Sequence, residues 1–150
     1  MDISRLPPDM SKLAKNIKDT APLMKDIAGM FLHRTEKKWE IRGEGRAYQG
    51  VKWPPLAEST VKVKKTKTGK RRGKEHILQD EGLMHAALTS KIGNTDAKIF
   101  FLPPEGRKYF KHHFGTEHIP ARPVLDVTKE DEKALDKELD RFIKESWRSI

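Results

Sequence analysis

Apolar residues recur at helical steps near both ends of the chain and in shorter, β-compatible runs between them. From Pro22 onward, Leu23, Ile27, Met30, Phe31 and then Arg34 follow one another at three- and four-residue spacing. Thr20 and Pro22 supply the start signal, because proline is preorganised for the first helical turn. The spacing predicts a helix from Pro22 to about Trp39. Gly43, Gly45 and Gly50 end it in a flexible loop anchored by Tyr48 and Trp53. Upstream, Leu6-Pro-Pro-Asp9 reads as a turn and Ser11 as the cap of a short helix carrying Leu13 and Ile17, so residues 1–20 form an N-terminal arm.

The runs Leu83 to Ile92 and Ala97 to Leu102 flank the turn-rich Gly93-Asn-Thr-Asp96 and predict a hairpin with Leu88, Ser90 and Ile92 on one face. Near the end, Leu135, Leu139, Phe142, Ile143 and Trp147 predict a helix over 128–147 with one buried stripe. Thr128 caps it, with Asp131 as the short-acid partner of a capping box. Glu58 to Lys65 fits either a short helix or extended chain.

Between hairpin and last helix lies Tyr109-Phe-Lys-His-His-Phe-Gly115, followed by Ile119-Pro-Ala-Arg-Pro123. Pro120 and Pro123 fix φ at about −65° and push Ile119 and Arg122 toward extended conformations. The whole segment, Tyr109 to Pro123, therefore reads as a stiff, non-helical strap that displays Arg122. Guanidinium groups form demanding bidentate pairs, so an ion pair within the subunit or across an interface is the expected use.

Composition adds a partner question. The chain has 150 residues, enough for one domain, and its hydrophobic share of 35% is matched by 35% charged residues. So lean a core implies exposed arms or loops, or cover from a partner. The formal charge of +9 is concentrated in a run without acids: Lys62, Lys64, Lys65 and Lys67, then Lys70, Arg71, Arg72 and Lys74. With Gly69 and Gly73 inside it, residues 61–74 read as a long basic loop. Three uses compete: nonspecific contact with DNA, an acidic face of a neighbouring protein, and plain solvation. No aromatic is interleaved to stack on bases.

Cysteine is absent, which excludes disulfides, thiol catalysis and thiolate metal sites. The start carries no apolar signal core and no stretch is long and apolar enough for a membrane span, so a soluble, cytoplasm-like setting is expected. His112, His113, Glu117 and His118 are clustered but lack metal-site spacing; His113 is better read as steadying a loop through backbone hydrogen bonds, with His112 and His118 on the surface. Trp53 and Leu56 read as core or interface anchors. No catalytic constellation or cofactor motif is visible, so neither an enzyme nor a bound cofactor is expected.

Five separated pieces fall into one order: Trp53-Pro-Pro-Leu-Ala-Glu-Ser-Thr60, the basic run, Ile77-Leu-Gln-Asp-Glu-Gly-Leu83, the Tyr109 to Gly115 segment and Ile119 to Pro123. This order, over roughly Trp39 to Asp131, resembles the virion morphogenesis or tail completion proteins of Mu-like phages and their relatives. Glu81 stands where that pattern usually has Thr, and Val124 where it usually has Phe. The resemblance implies a structural virion protein at the neck or tail end, assembled in the host cytoplasm. It further implies a ring of six or twelve copies that meets tail proteins, the head-side connector, or both. Trp53, Leu56, Tyr109, His113 and Arg122 become the assembly candidates, and the cations from Lys62 to Lys74 the candidates for contact with DNA or an acidic partner. The rival classes are a basic nucleic-acid-binding module and a cell-wall hydrolase. Together, pattern and resemblance predict an α+β domain with N- and C-terminal helices packed on a small, mainly antiparallel sheet.

Overall fold

A computed structural model of the chain describes residues 12, 15, 18–66, 76–78 and 82–148. Its elements are α1 (Ala21–Gly43), α2 (Glu58–Thr66), α3 (Leu83–Ala86), β1 (Leu88–Ile92), β2 (Ala97–Phe101), α4 (Glu105–Phe114) and α5 (Lys129–Arg148). The class is α+β, as expected. The hairpin packs on one side of α1 and α5 lies along it, so α1 is the spine shared by both. The expected N-terminal turn and the helix carrying Leu13 and Ile17 lie outside the described residues.

Helix α1 begins where Thr20 and Pro22 predict, with the Thr20 carbonyl accepting the Met24 N–H at 2.9 Å. It outlasts the predicted end by four residues and stops as Gly45 turns to φ +76°, a conformation that glycine adopts without a Cβ penalty. Leu23 is buried, and Ile27, Met30 and Phe31 are half-buried. Farther along, the inward side carries Thr35, Lys38, Trp39 and Arg42, all buried.

The hairpin pairs Leu88 with Phe101, Ser90 with Ile99 and Ile92 with Ala97, which puts the predicted face of β1 beside the apolar face of β2. Gly93 N–H closes the turn on the Asp96 carbonyl at 2.8 Å. The first part of the predicted strand is instead α3: Gly82, at φ +81°, reverses the chain, and the single helical turn holds Leu83 54% exposed before β1 begins. Residues 58–66, which sequence left between helix and extended chain, are helical. Residues 61–66 of the expected basic loop are thus helical, a correction to that expectation, and the rest of it, 67–74, lies outside the described residues.

The core is small and aromatic. Trp39 meets Trp53 edge-on at 6.4 Å and Phe101 at 5.8 Å, and Phe101 stacks on Tyr109 at 4.2 Å. Ile77, Ala87 and Val124 complete the buried cluster, with Leu56, Met84 and Leu88 packed against it. Burial of rings this size supplies much of the apolar stabilisation such a lean chain can gather.

Helix α5 is seated by charge more than by its apolar stripe. The capping box forms: Thr128 N–H donates to Asp131 Oδ2 at 2.9 Å, and Asp131 N–H to Thr128 Oγ1 at 3.3 Å. The same fully buried carboxylate accepts Lys38 Nζ at 2.7 Å and the Arg34 guanidinium. Beside it, Arg42 holds Asp126 with two bonds of 2.9 Å, and Lys38 donates to the Asp126 carbonyl. The predicted buried stripe on α5 needs correcting. Leu135 and Phe142 are half-buried, while Leu139, Ile143 and Trp147 are 37%, 49% and 57% exposed. The period of about 3.6 residues turns Asp131, Leu135, Phe142 and Ser146 toward α1 and leaves the other three on a flank that α1 does not reach.

Burial alone would raise the Asp131 carboxyl, but Lys38, Arg34 and the Thr128 N–H and hydroxyl outweigh it and hold the group well below the usual carboxylate range. Folding thus lowers this pKa, so its contribution is complete above the unfolded value of about 4 and is lost as pH falls below it. Asp131→Asn should cost roughly 3–5 kcal/mol at neutral pH, because it removes the nearer of the two carboxylates facing buried Lys38 and leaves only Asp126, 3.7 Å away and shared with Arg42. Urea unfolding measured between neutral and acid pH checks both points: the variant should start less stable and lose less on acidification.

Candidate functional site

The sequence-predicted strap divides in two. Residues from Tyr109 to Phe114 are helical, the second half of α4, and only Gly115 to Pro123 is non-helical. The prolines act locally and too far downstream to unwind this stretch. Glu105 in its first turn and Lys111 in its last complement the helix dipole. Gly115 then ends the helix at φ +76° and ψ 174°, where a Cβ would meet Ala121 N and the Ile119 carbonyl oxygen, each at 2.9 Å. Both neighbours are backbone and cannot step aside.

The turn from Thr116 to Ile119 is closed by Thr116 N–H on the Ile119 carbonyl at 2.7 Å, and Thr116 Oγ1 accepts the Ile119 N–H at 3.1 Å. Beyond it Arg122 is buried, 5% exposed, which corrects the expectation of a displayed side chain seeking a carboxylate. Its Nε donates to the Pro54 carbonyl at 3.0 Å and a terminal nitrogen to the Pro55 carbonyl at 2.8 Å. In return, Trp53 Nε1 donates to the Pro123 carbonyl at 2.9 Å, and Arg122 N–H ties the strap to the His112 carbonyl at 2.6 Å. Prolines create this demand: Pro54 and Pro55 have carbonyls to satisfy, and a planar guanidinium can reach two consecutive ones with its rigid fork. Burial holds the Arg122 pKa below its usual value.

Tyr109 and His113 lie one helical turn apart, with the hydroxyl 2.6 Å from Nδ1. Burial pushes the Tyr109 hydroxyl up to about 12, so it stays protonated. Burial also lowers His113, against a smaller opposing pull from Asp126. His113 thus pairs with Tyr109 where a backbone partner was expected. His112 is half-buried, a correction to its predicted surface position; burial and then the Arg122 charge hold its pKa down. His118 is exposed. Trp53, Leu56, Tyr109, His113 and Arg122 are therefore brought together as one internal junction joining the Trp53–Leu56 segment, the strap and α4.

Of the basic run, Lys62 is exposed on α2 and the backbones of Lys64 and Lys65 are helical; Lys67, Lys70, Arg71, Arg72 and Lys74 lie outside the described residues. Among the described residues, no group of three metal-ligating side chains converges, and no helix is long and apolar enough to cross a membrane.

Two groups of large apolar side chains face solvent. Phe110 is 59% and Phe114 70% exposed, their rings nearly parallel with centroids 6.1 Å apart. On α5, Leu139, Ile143 and Trp147 form a second ridge. Sequence reasoning missed the first ridge because it read Tyr109 to Phe114 as extended; the four-residue step from Phe110 to Phe114 was the available signal. Contiguous exposed apolar surface is a feature of interaction sites.

Fold and surface thus describe a chain with a tied internal junction and exposed apolar ridges on two helices. The chain belongs to the phage virion morphogenesis family, whose profile matches residues 1–144. That places it among proteins of phage virion structure and assembly. No curated protein and no solved structure matches the chain.

Arg122→Ala should destabilise the protomer itself, by roughly 1.5–3 kcal/mol for each charge-assisted bond lost, so reduced assembly would come with a lowered denaturation midpoint. Gly115→Ala should cost at least about 1–2 kcal/mol from backbone conformation alone. Chemical denaturation of the two variants beside the parent checks both, and an unchanged midpoint for Arg122→Ala would refute the buried clasp.

Proposed function

We propose that the protein acts at the neck or tail end of a tailed phage particle, as a ring that completes the tail or joins it to the head. The observation that carries this reading is the pair of exposed apolar ridges, on α4 and α5, in a member of a virion morphogenesis family. A subunit that presents such faces from rigid helices is suited to repeated contacts with copies of itself and with neighbouring particle proteins. Closed rotational symmetry is the usual outcome of repeated head-to-tail contacts, and six or twelve copies would suit a tail axis. In this reading the neighbours are the tail tube or tail terminator on one side and the head-side connector on the other. The cations from Lys62 to Lys74 then face packaged DNA or an acidic partner.

Electron microscopy of particles made without the protein tests the reading: separate filled heads and tails are expected, and normal virions would sink it. Neutralising Lys64, Lys65, Arg71 and Arg72 together should leave assembled tails in place and impair DNA retention or delivery, since such cations hold phosphates without reading bases. Counting tailed particles, retained DNA and infectivity separates the possibilities. A failure at assembly would assign the run to a protein partner.

A further inference from the structure

Two helices expose the same spacing with opposite charge. On α4, Arg107, Phe110, Lys111 and Phe114 stand at i, i+3, i+4 and i+7, and all four are exposed. Residues at these steps share one helix face. On α5, Asp136, Leu139, Asp140 and Ile143 repeat the spacing and are exposed as well, with Trp147 extending the ridge by another turn. One face reads base, apolar, base, apolar; the other reads acid, apolar, acid, apolar.

Laid side by side in parallel, the faces match position by position. Arg107 falls opposite Asp136, Phe110 opposite Leu139, Lys111 opposite Asp140 and Phe114 opposite Ile143, a register that holds along about 10 Å of each helix. An antiparallel arrangement would set Phe114 against Asp136 and Arg107 against Ile143. Among the described residues, none of these four charged side chains forms an ion pair within the protomer. Nor does the protomer use the faces on each other: α4 packs on β2 and α3, and α5 packs on α1.

We infer that the Arg107 to Phe114 face of α4 docks, with the helices parallel, on the Asp136 to Ile143 face of α5 in a second copy of this chain. The inference rests on the ring reading above and supplies its subunit contact. Each copy carries both faces, and contact between unlike faces is heterologous, the kind that propagates head to tail and closes into a ring. Charge selects the same pairing. A chain of net charge +9 repels its own copies, and an acid-bordered ridge meeting a base-bordered one offsets that repulsion where like ridges would add to it.

The chain has no cysteine, so introduced thiols report the contact without background. Phe110→Cys and Leu139→Cys are made in separate chains, then oxidised mildly alone and mixed. A disulfide between unlike chains in the mixture, with neither variant linking to itself, is the expected result. In parallel, Arg107→Glu with Lys111→Glu should weaken self-association by at least about tenfold in sedimentation experiments. Adding Asp136→Lys and Asp140→Lys to the same chain should restore it to within about threefold of the parent. All four positions are exposed, so circular dichroism should stay that of the parent, as should the thermal midpoint at concentrations where both chains are monomeric. Oligomers that persist in Arg107→Glu/Lys111→Glu without the mixed disulfide would overturn this contact and leave a ring built through another surface. Self-linking of either cysteine variant would also overturn it, in favour of contact between like faces. A chain that stays monomeric while particles lacking it still fail to join would overturn the contact and leave the joining role standing.

Discussion

One buried carboxylate holds the two long helices together. Asp131 closes the capping box of α5 and accepts Lys38 and Arg34 from α1, while its neighbour Asp126 takes both arms of Arg42. Removing these charges from water is costly, and an apolar replacement of equal shape could be as stable. What the network supplies is register. Sliding α5 by one turn, about 5.4 Å, would carry Asp131 away from Lys38 and Arg34 and leave a buried carboxylate without its cations, a loss of several kcal/mol. A looser apolar seam of Leu135 and Phe142 would tolerate such a slip. Charge pairing here does for the terminal helices what close packing does for the aromatic core around Trp39.

The second constraint is the prolines. Pro54 and Pro55 present carbonyls beside a core tryptophan and cannot donate to each other, so a cationic fork must be brought to them, and Arg122 is delivered by a strap stiffened by its own flanking prolines. The reciprocal bond from Trp53 to Pro123 makes the junction a two-way tie between chain segments about seventy residues apart. Because Arg122 N–H also holds the end of α4, the orientation of that helix depends on the same tie. Core, strap and α4 are therefore tied to one another by these bonds.

Legibility in the sequence followed the range of the interaction. Local signals read well: Thr20 and Pro22 start α1, Gly93 to Asp96 turns the hairpin in the expected face pattern, and Thr128 with Asp131 caps α5. What depends on distant partners did not. Lys38 and Arg42 look like solvent-facing residues of a charged helix until Asp126 and Asp131 supply their anions, and Asp131 looks like a cap alone until Lys38 reaches it. Arg122 was misread for the same reason, since its proline flanks suggest exposure and its true partners sit far upstream. The error in α4 was of another kind: stiffness that belongs to Pro120 and Pro123 was extended backward over residues whose charges and spacing favour a helix. On α5 the apolar spacing was right, and burial failed because the stripe is wider than the groove that α1 offers.

That excess width links stability to assembly. A helix seated on one side by Asp131, Leu135, Phe142 and Ser146 leaves Leu139, Ile143 and Trp147 exposed, and on α4 Phe110 and Phe114 stay exposed although their rings also meet Tyr109 and His113. Exposed apolar side chains in the unassembled protomer risk nonspecific association, which the high net charge restrains. The helices that carry them are held within the chain itself, α5 by the Asp131 network and α4 by the Arg122 tie. Rigid presentation lowers the ordering cost of association, so a narrow ridge can hold a partner more firmly than its area alone suggests. The polar interior and the apolar exterior are then two parts of one arrangement, in which buried charges aim the helices and exposed rings are what the helices present.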